Sequence, residues 1–143
     1  MTYKPYSSLT ASGVSDDRVN NSGSSIFKGT PVRINSSGEL DIIDVSVESS
    51  ITNVVGVAAA DILNTLKGAT VNSGKIENIT TSADFGDTIY ISKTGSITNI
   101  KPDVGVSGFI IGDFVVMVGV IAKNEATPAN KDLIINITII GQL

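Results

Sequence analysis

Two stretches of this chain align with each other without a gap. Residues 28–43 run Lys-Gly-Thr-Pro-Val-Arg-Ile-Asn-Ser-Ser-Gly-Glu-Leu-Asp-Ile-Ile, and residues 85–100 run Phe-Gly-Asp-Thr-Ile-Tyr-Ile-Ser-Lys-Thr-Gly-Ser-Ile-Thr-Asn-Ile. Gly29, Ile34, Gly38 and Ile43 fall on Gly86, Ile91, Gly95 and Ile100, and Val32 and Leu40 fall on Ile89 and Ile97. After a short insertion in the second copy, Val54-Val-Gly-Val-Ala-Ala59 matches Met117-Val-Gly-Val-Ile-Ala122. Self-similarity of this kind marks a repeated supersecondary unit. Glycines and aliphatic residues carry the match. Positions of that type build turns and cores, so the repeat reads as a scaffold and contains no catalytic constellation.

Composition narrows the chemistry. The chain has 143 residues, one domain by length, and a chain of this size buries ~70% of the surface its unfolded form exposes. It has no cysteine and no histidine. Disulfides, thiolate nucleophiles and thiolate zinc sites are therefore excluded, and the commonest general base and metal ligand is missing. The net charge is −4 with a pI near 4.6, which gives no attraction to nucleic acid phosphates or to an anionic membrane. The first eight residues lack an apolar core, so no signal peptide is expected there. The longest apolar run, residues 114–122, is too short to cross a bilayer as a helix, and its β-branched content predicts a strand buried on both faces. A soluble chain is expected. Only 17% of its residues are charged, which suggests a surface covered by a partner, foremost a copy of itself.

The pattern predicts an all-β fold, a small barrel or sandwich with an internal tandem duplication, preceded by an extended N-terminal arm. Residues 1–25 are polar and turn-rich. They read either as a frayed terminus or as an arm that lies across a neighbouring subunit, with Leu9, Val14 and Val19 as anchors. Residues 26–143 form the duplicated domain, with copy one at about 26–80 and copy two at about 83–143. Val32–Ile34 and Leu40–Ile42 make a hairpin around a turn at Gly38, and Thr88–Ser92 and Ser96–Ile100 make its counterpart around Gly95. Gly29 and Gly86 open the two units. Residues 44–53 read as a loop or weak strand, and residues 58–66 as one or two helical turns stopped by Gly68. Further strands are expected at 53–58, 69–71, 75–79 and 133–140. In the last, Leu133, Ile135, Ile137 and Ile139 share one face, a core or oligomer surface.

Candidate chemistry rests on carboxylates alone. Asp41, Asp44, Asp84 and Asp87 flank the two hairpins, but nothing pairs them as a glycosidase requires. Gly86-Asp87 and Gly112-Asp113 lack the spaced acids of a calcium loop and read as Asx turns. Gly105–Gly112 has the glycines of a phosphate loop without the lysine or the following helix. Tyr3, Tyr6 and Tyr90 are candidates for a sugar-facing surface, and Tyr90 matches Arg33 on the outward side of its strand. No catalytic residue, metal ion or cofactor is expected.

The repeated unit resembles a module of tailed-bacteriophage virion proteins found in tail-fibre, baseplate-associated and head-decorating chains. The resemblance is carried by Lys28-Gly-Thr-Pro-Val-Arg-Ile34 with Val55-Gly-Val57, and by Gly86–Thr98, Pro102 and Val118-Gly-Val-Ile121. It spans about residues 26–140. It implies a non-enzymatic virion structural protein on the particle exterior, a homo-oligomer, usually a trimer, that docks on a fibre, baseplate or major capsid protein. A tail-fibre or baseplate attachment role leads. A capsid decoration (cement) role and a host-glycan-binding module, using loops such as residues 123–130, are the alternatives. The chain has no fibre shaft and no separate receptor-binding tip, and no functional residues carry over.

Overall fold

The computed structural model describes residues 11–12 and 15–143. The strands are β1 (Ala11–Ser12), β2 (Ser15–Val19), β3 (Pro31–Ile34), β4 (Leu40–Ile42), β5 (Val54–Ala58), β6 (Lys67–Val71), β7 (Gly74–Ile79), β8 (Thr88–Ile91), β9 (Ile97–Thr98), β10 (Phe114–Lys123) and β11 (Lys131–Gln142). One helical turn, α1 (Glu48–Thr52), precedes β5. The fold is all-β, with two antiparallel sheets, one of them a half-barrel. One sheet has the order β2-β6-β5-β3-β4, and the other β1-β7-β11-β10-β8-β9. Apart from β1, the second order is the first repeated with each strand replaced by its counterpart.

The duplication reaches individual hydrogen bonds. Gly29 N–H donates to the Ala58 carbonyl at 2.9 Å, and Ala58 N–H donates to the Thr30 carbonyl at 2.9 Å. In the second repeat Gly86 N–H donates to Ile121 at 2.8 Å, and Ile121 N–H donates to Asp87 at 3.0 Å. Asn35 N–H to Glu39 and Gly38 N–H to Asn35 close one hairpin; Ser92 N–H to Ser96 and Gly95 N–H to Ser92 close the other. Gly38 and Gly95 sit at φ +78° and +89°, a region that glycine enters without steric cost. Gly95 also lies against the first repeat: a Cβ there would stand 2.7 Å from the Ile43 carbonyl oxygen.

The Val-Gly-Val motif has a specific cause. β5 is bulged between its contacts to Arg33 and Val32, and β10 is bulged between its contacts to Tyr90 and Ile89. The glycine of each bulge lies hard against the next strand. A Cβ on Gly56 would stand 2.6 Å from the Val71 carbonyl oxygen, and a Cβ on Gly119 would overlap that of Ile134. Glycine in a strand interior commonly marks such a close approach.

The main core joins both sheets. It includes Ile43, Val45, Ile51, Val57 and Val71 from the first repeat and Ile76, Ile89, Ile91, Phe109, Val116, Val118, Ile121 and Leu133 from the second. A smaller cluster, Ile26, Val32, Leu40, Ala58 and Ile62, belongs to the first repeat alone. Val57 and Ala58 go to different clusters because neighbouring strand residues face opposite sides.

Several expectations change. Residues 58–66 hold no helix. Ile62 exchanges backbone hydrogen bonds with Ile26 at 2.8 and 2.9 Å, and the burial of both side chains fixes an extended bridge. The helical turn lies instead at Glu48–Thr52, within the expected loop, where Ile51 is buried. Residues 15–19 of the extended N-terminal segment are β2, paired along their length with β6 of the same chain. Val19 is half-buried there, opposite Lys67. Leu9 and Val14 lie outside the described residues. The first repeat therefore starts at β2 and ends at β6, and the second starts at β7, inside the segment expected to close copy one.

Replacing Gly119 with alanine is expected to cost about 3 kcal/mol, because backbone cannot yield to the new methyl group as a side chain would. For a chain of this length that corresponds to a fall of roughly 6–12 °C in Tm. Gly141→Ala, where nothing lies within 4 Å of the added carbon, is expected to melt with the parent in the same calorimetric scan.

Candidate functional site

The hairpin carboxylates are held in local structures, with Asp84 and Asp87 in one turn. Asp41 accepts from the Arg33 guanidinium at 3.1 Å. Asp44 accepts from the Ser46 hydroxyl at 2.6 Å and its N–H at 2.9 Å. Asp87 accepts from Asn99 Nδ2 at 3.0 Å and from the Asp84 N–H at 2.9 Å. The Ser46 hydroxyl, then the Ser46 N–H, hold Asp44 below the ordinary carboxylate pKa; Asn99, then the Asp84 N–H, do the same for Asp87. Hydrogen bonds to the charged form act in that direction. A general acid needs the opposite shift.

Other candidates are equally occupied. Asp113 is buried, accepting from Lys93 Nζ at 2.6 Å and from the Ile110 N–H at 3.0 Å. In the glycine-rich loop, Gly105 N–H donates to Phe109 and Phe109 N–H donates to Val106, so these donors are turned inward. Tyr90 is half-buried on β8, opposite Met117 and Thr98; Tyr3 and Tyr6 lie outside the described residues. The 123–130 loop is folded on buried Asn124, whose Oδ1 accepts from the N–H groups of Ala126 and Thr127 and whose Nδ2 donates to buried Asp132. Among the described residues, no three acidic side chains converge as a metal site would need, and every buried side-chain polar atom has a partner.

What the structure does assemble is an apolar end, and it arises where the repeats diverge. In the first repeat α1 leads into a five-residue β5, and β6 then crosses to the other sheet as β7. In the second repeat the loop 101–113 leads into ten-residue β10, which pairs with twelve-residue β11 to its end, Phe114 against Gln142. The ribbon end is pinned. Gly112 N–H donates to the Leu143 carbonyl at 2.7 Å, Leu143 N–H donates to Asp113 at 2.8 Å, and Gln142 Nε2 donates to Gly112 at 2.9 Å. Around it Ile110, Ile111, Ile139 and Ile140 are exposed, Ile111 at 78%. A shallow groove of about 500 Å³ lies beside them, with Pro102, Val106, Val115, Ile140 and Leu143 among its lining residues. Exposed aliphatic side chains are thus grouped on a fixed frame.

The face expected for the last strand divides along its length. Leu133 and Ile135 are buried, Ile137 is half-buried and Ile139 is 48% exposed. The strand outruns the core. Two register shifts against β10 also break the strict alternation on which a single face depends. The turn glycines Gly29, Gly38, Gly86 and Gly95 are all at positive φ. Ile110 and Ile111 went unrecognised in the sequence, although two adjacent isoleucines inside a glycine-rich connection were a usable signal.

No protein-family model matches the chain, and comparison with curated proteins and with solved structures gives no match either. No helix among the described residues is long and apolar enough to cross a membrane.

The two depressed carboxylates fix the sign of an acid response. A folded-state pKa below the unfolded value contributes stability that is present above the unfolded value, here the ordinary 3.8, and is lost as pH falls through the folded one. Asp44 and Asp87 should therefore give the melting temperature no pH dependence between about pH 5 and pH 8, where their contribution is fully present, and a fall that begins below about pH 4. Asp87→Asn is expected to flatten part of that fall, read as a pH series of thermal melts.

Proposed function

We propose that this chain is a non-enzymatic structural protein of a tailed-phage particle. It is a homo-oligomeric β module on the particle exterior, joining tail-fibre or baseplate components. The apolar end built from loop 101–113 and the β10–β11 ribbon carries the proposal. It is a preformed, largely aliphatic contact surface with Lys101 and Asp103 beside its groove, held by backbone hydrogen bonds, on a chain in which Asp41, Asp44 and Asp87 are committed to local turns and an ion pair. The resemblance of the two Gly-x-x-[Val/Ile]-x-Ile units with their Val-Gly-Val strands supports the phage context. Three copies is the number that the resemblance implies.

A capsid decoration role would use the same surface and differ in stoichiometry. A host-glycan module is less well supported, since sugar rings favour exposed aromatic platforms and the 123–130 loop has no aromatic residue.

The test is the copy number of the chain in purified particles, measured by quantitative mass spectrometry against the major capsid protein. Tail attachment predicts a ratio below the capsid subunit by about an order of magnitude or more, from the small number of tail and vertex positions on a symmetric shell. Parity with the capsid subunit would make it a decoration protein, and absence from particles would remove the virion reading altogether.

A further inference from the structure

The exposed half of β11 has a property that the apolar side chains alone do not convey. β7 covers one edge of β11 only from Lys131 to Ile135, where Gly74 is its last partner. From Asn136 to Gln142 the strand is paired with β10 on one side, and among the described residues nothing pairs with it on the other. Asn136, Thr138, Ile139, Ile140, Gly141 and Gln142 are all exposed. A strand edge in this state presents a row of unpaired N–H and C=O groups, a template for another strand.

The remaining outer edges are blunted. β2 carries Asp16, Asp17 and Arg18, with Arg18 paired to Asp16 at 2.7 Å. β4 is three residues long, and β1 and β9 are two each. Charge and short length are the usual protections of an edge. Asn136-Ile-Thr-Ile-Ile-Gly-Gln142 has no charged residue and no proline, and along these seven residues the alternate N–H and C=O groups turned away from β10 have no strand partner among the described residues. What fits it is an extended, uncharged, aliphatic strand, and the chain itself contains one: this same segment.

We infer that a second copy of this chain pairs through Asn136–Gln142, antiparallel, about a two-fold axis at Ile139. The inference rests on the homo-oligomer of the proposed function and specifies its contact. Antiparallel self-pairing sets Ile139 opposite Ile139, Thr138 opposite Ile140, and Asn136 opposite Gln142. Amide meets amide at the ends and aliphatic meets aliphatic in the middle, with no like charge brought together. The two sheets that contain β11 become one continuous sheet, and Ile110 and Ile111, at the same ribbon end, border the seam. An isologous contact of this kind closes on itself as a dimer or an even multiple of one, and so replaces the three copies implied by the resemblance.

The experiment uses the full chain in native mass spectrometry and light scattering at micromolar concentration. The parent is expected to be a dimer. Ile139→Lys and Ile139→Glu, each alone, set like charges opposite each other across the axis and should weaken the dimer by roughly 100-fold or more. Because Ile139 is exposed, both variants should keep the far-UV spectrum of the parent. Mixed in equal amounts, they should form the Lys–Glu heterodimer, which a defect of folding would not restore. A parent that is monomeric or trimeric, dimers that survive both substitutions, or a mixture that stays monomeric would overturn the pairing. So would a parent that remains monomeric while binding a synthetic Asn136–Gln142 peptide, since the edge would then take a foreign strand. None of these results alters the copy number in particles, so the contact and the proposed function stand or fall separately.

Discussion

The close approach of backbone to backbone at Gly56 and Gly119 is the constraint on which the rest of the fold depends. At each, the carbonyl oxygen of the neighbouring strand occupies the space a side chain would need. That contact lets β6 and β11 lie against the bulges of β5 and β10. The bulge then decides which residues of those strands face the core. Val116, Val118 and Ile121 turn inward while Val120 turns out. A larger residue at either glycine would displace the next strand, and with it Val71 or Leu133, both fully buried. In a close-packed interior such a shift is not absorbed locally.

Repetition of the backbone does not repeat the environment. Val57 and Val71, directly paired in the first repeat, are buried in the core shared with the second. The equivalent pair in the second repeat, Val120 and Ile134, faces solvent. The first repeat spends that face on holding the second, and nothing in the chain's described residues does the same for the second. The same divergence separates α1 from the long ribbon. Contact surface thus accumulates on the second repeat, while the first serves as its support.

Buried polar groups lock these pieces together. Asn20, fully buried, holds the Ser24 and Ile62 carbonyls through its amide at 2.8 Å each and receives the Ser22 N–H. It fixes the crossing from β2 to the small cluster. Asp132 receives Asn124 Nδ2 and the Asn78 N–H, tying the last loop to β7. Asp113, with Lys93, ties the second hairpin to the ribbon end. Each sits where two segments distant in sequence meet, and losing one partner would leave the other unpaired in a low-dielectric interior. The ribbon end owes its fixed shape to such ties.

The local grammar of the fold is readable from the residues alone. Both hairpins, the turns at Gly38 and Gly95, the Val-Gly-Val strands and the all-β class were legible, because alternation and glycine act over a few residues and the duplication states each of them twice. Tertiary structure decided the rest. Ala58–Leu66 has helix-forming composition, yet the long-range bridge between Ile62 and Ile26 outweighs a weak local preference. Ser-Asp-Asp-Arg-Val19 has no strand pattern, because an edge strand needs no apolar alternation to be held by its neighbour. The apolar end was only half visible. Final-strand isoleucines were evident, but whether Ile139 meets core or solvent depends on where β7 stops and how β11 slips against β10. Those are properties of strands distant in the chain, and no local pattern encodes them.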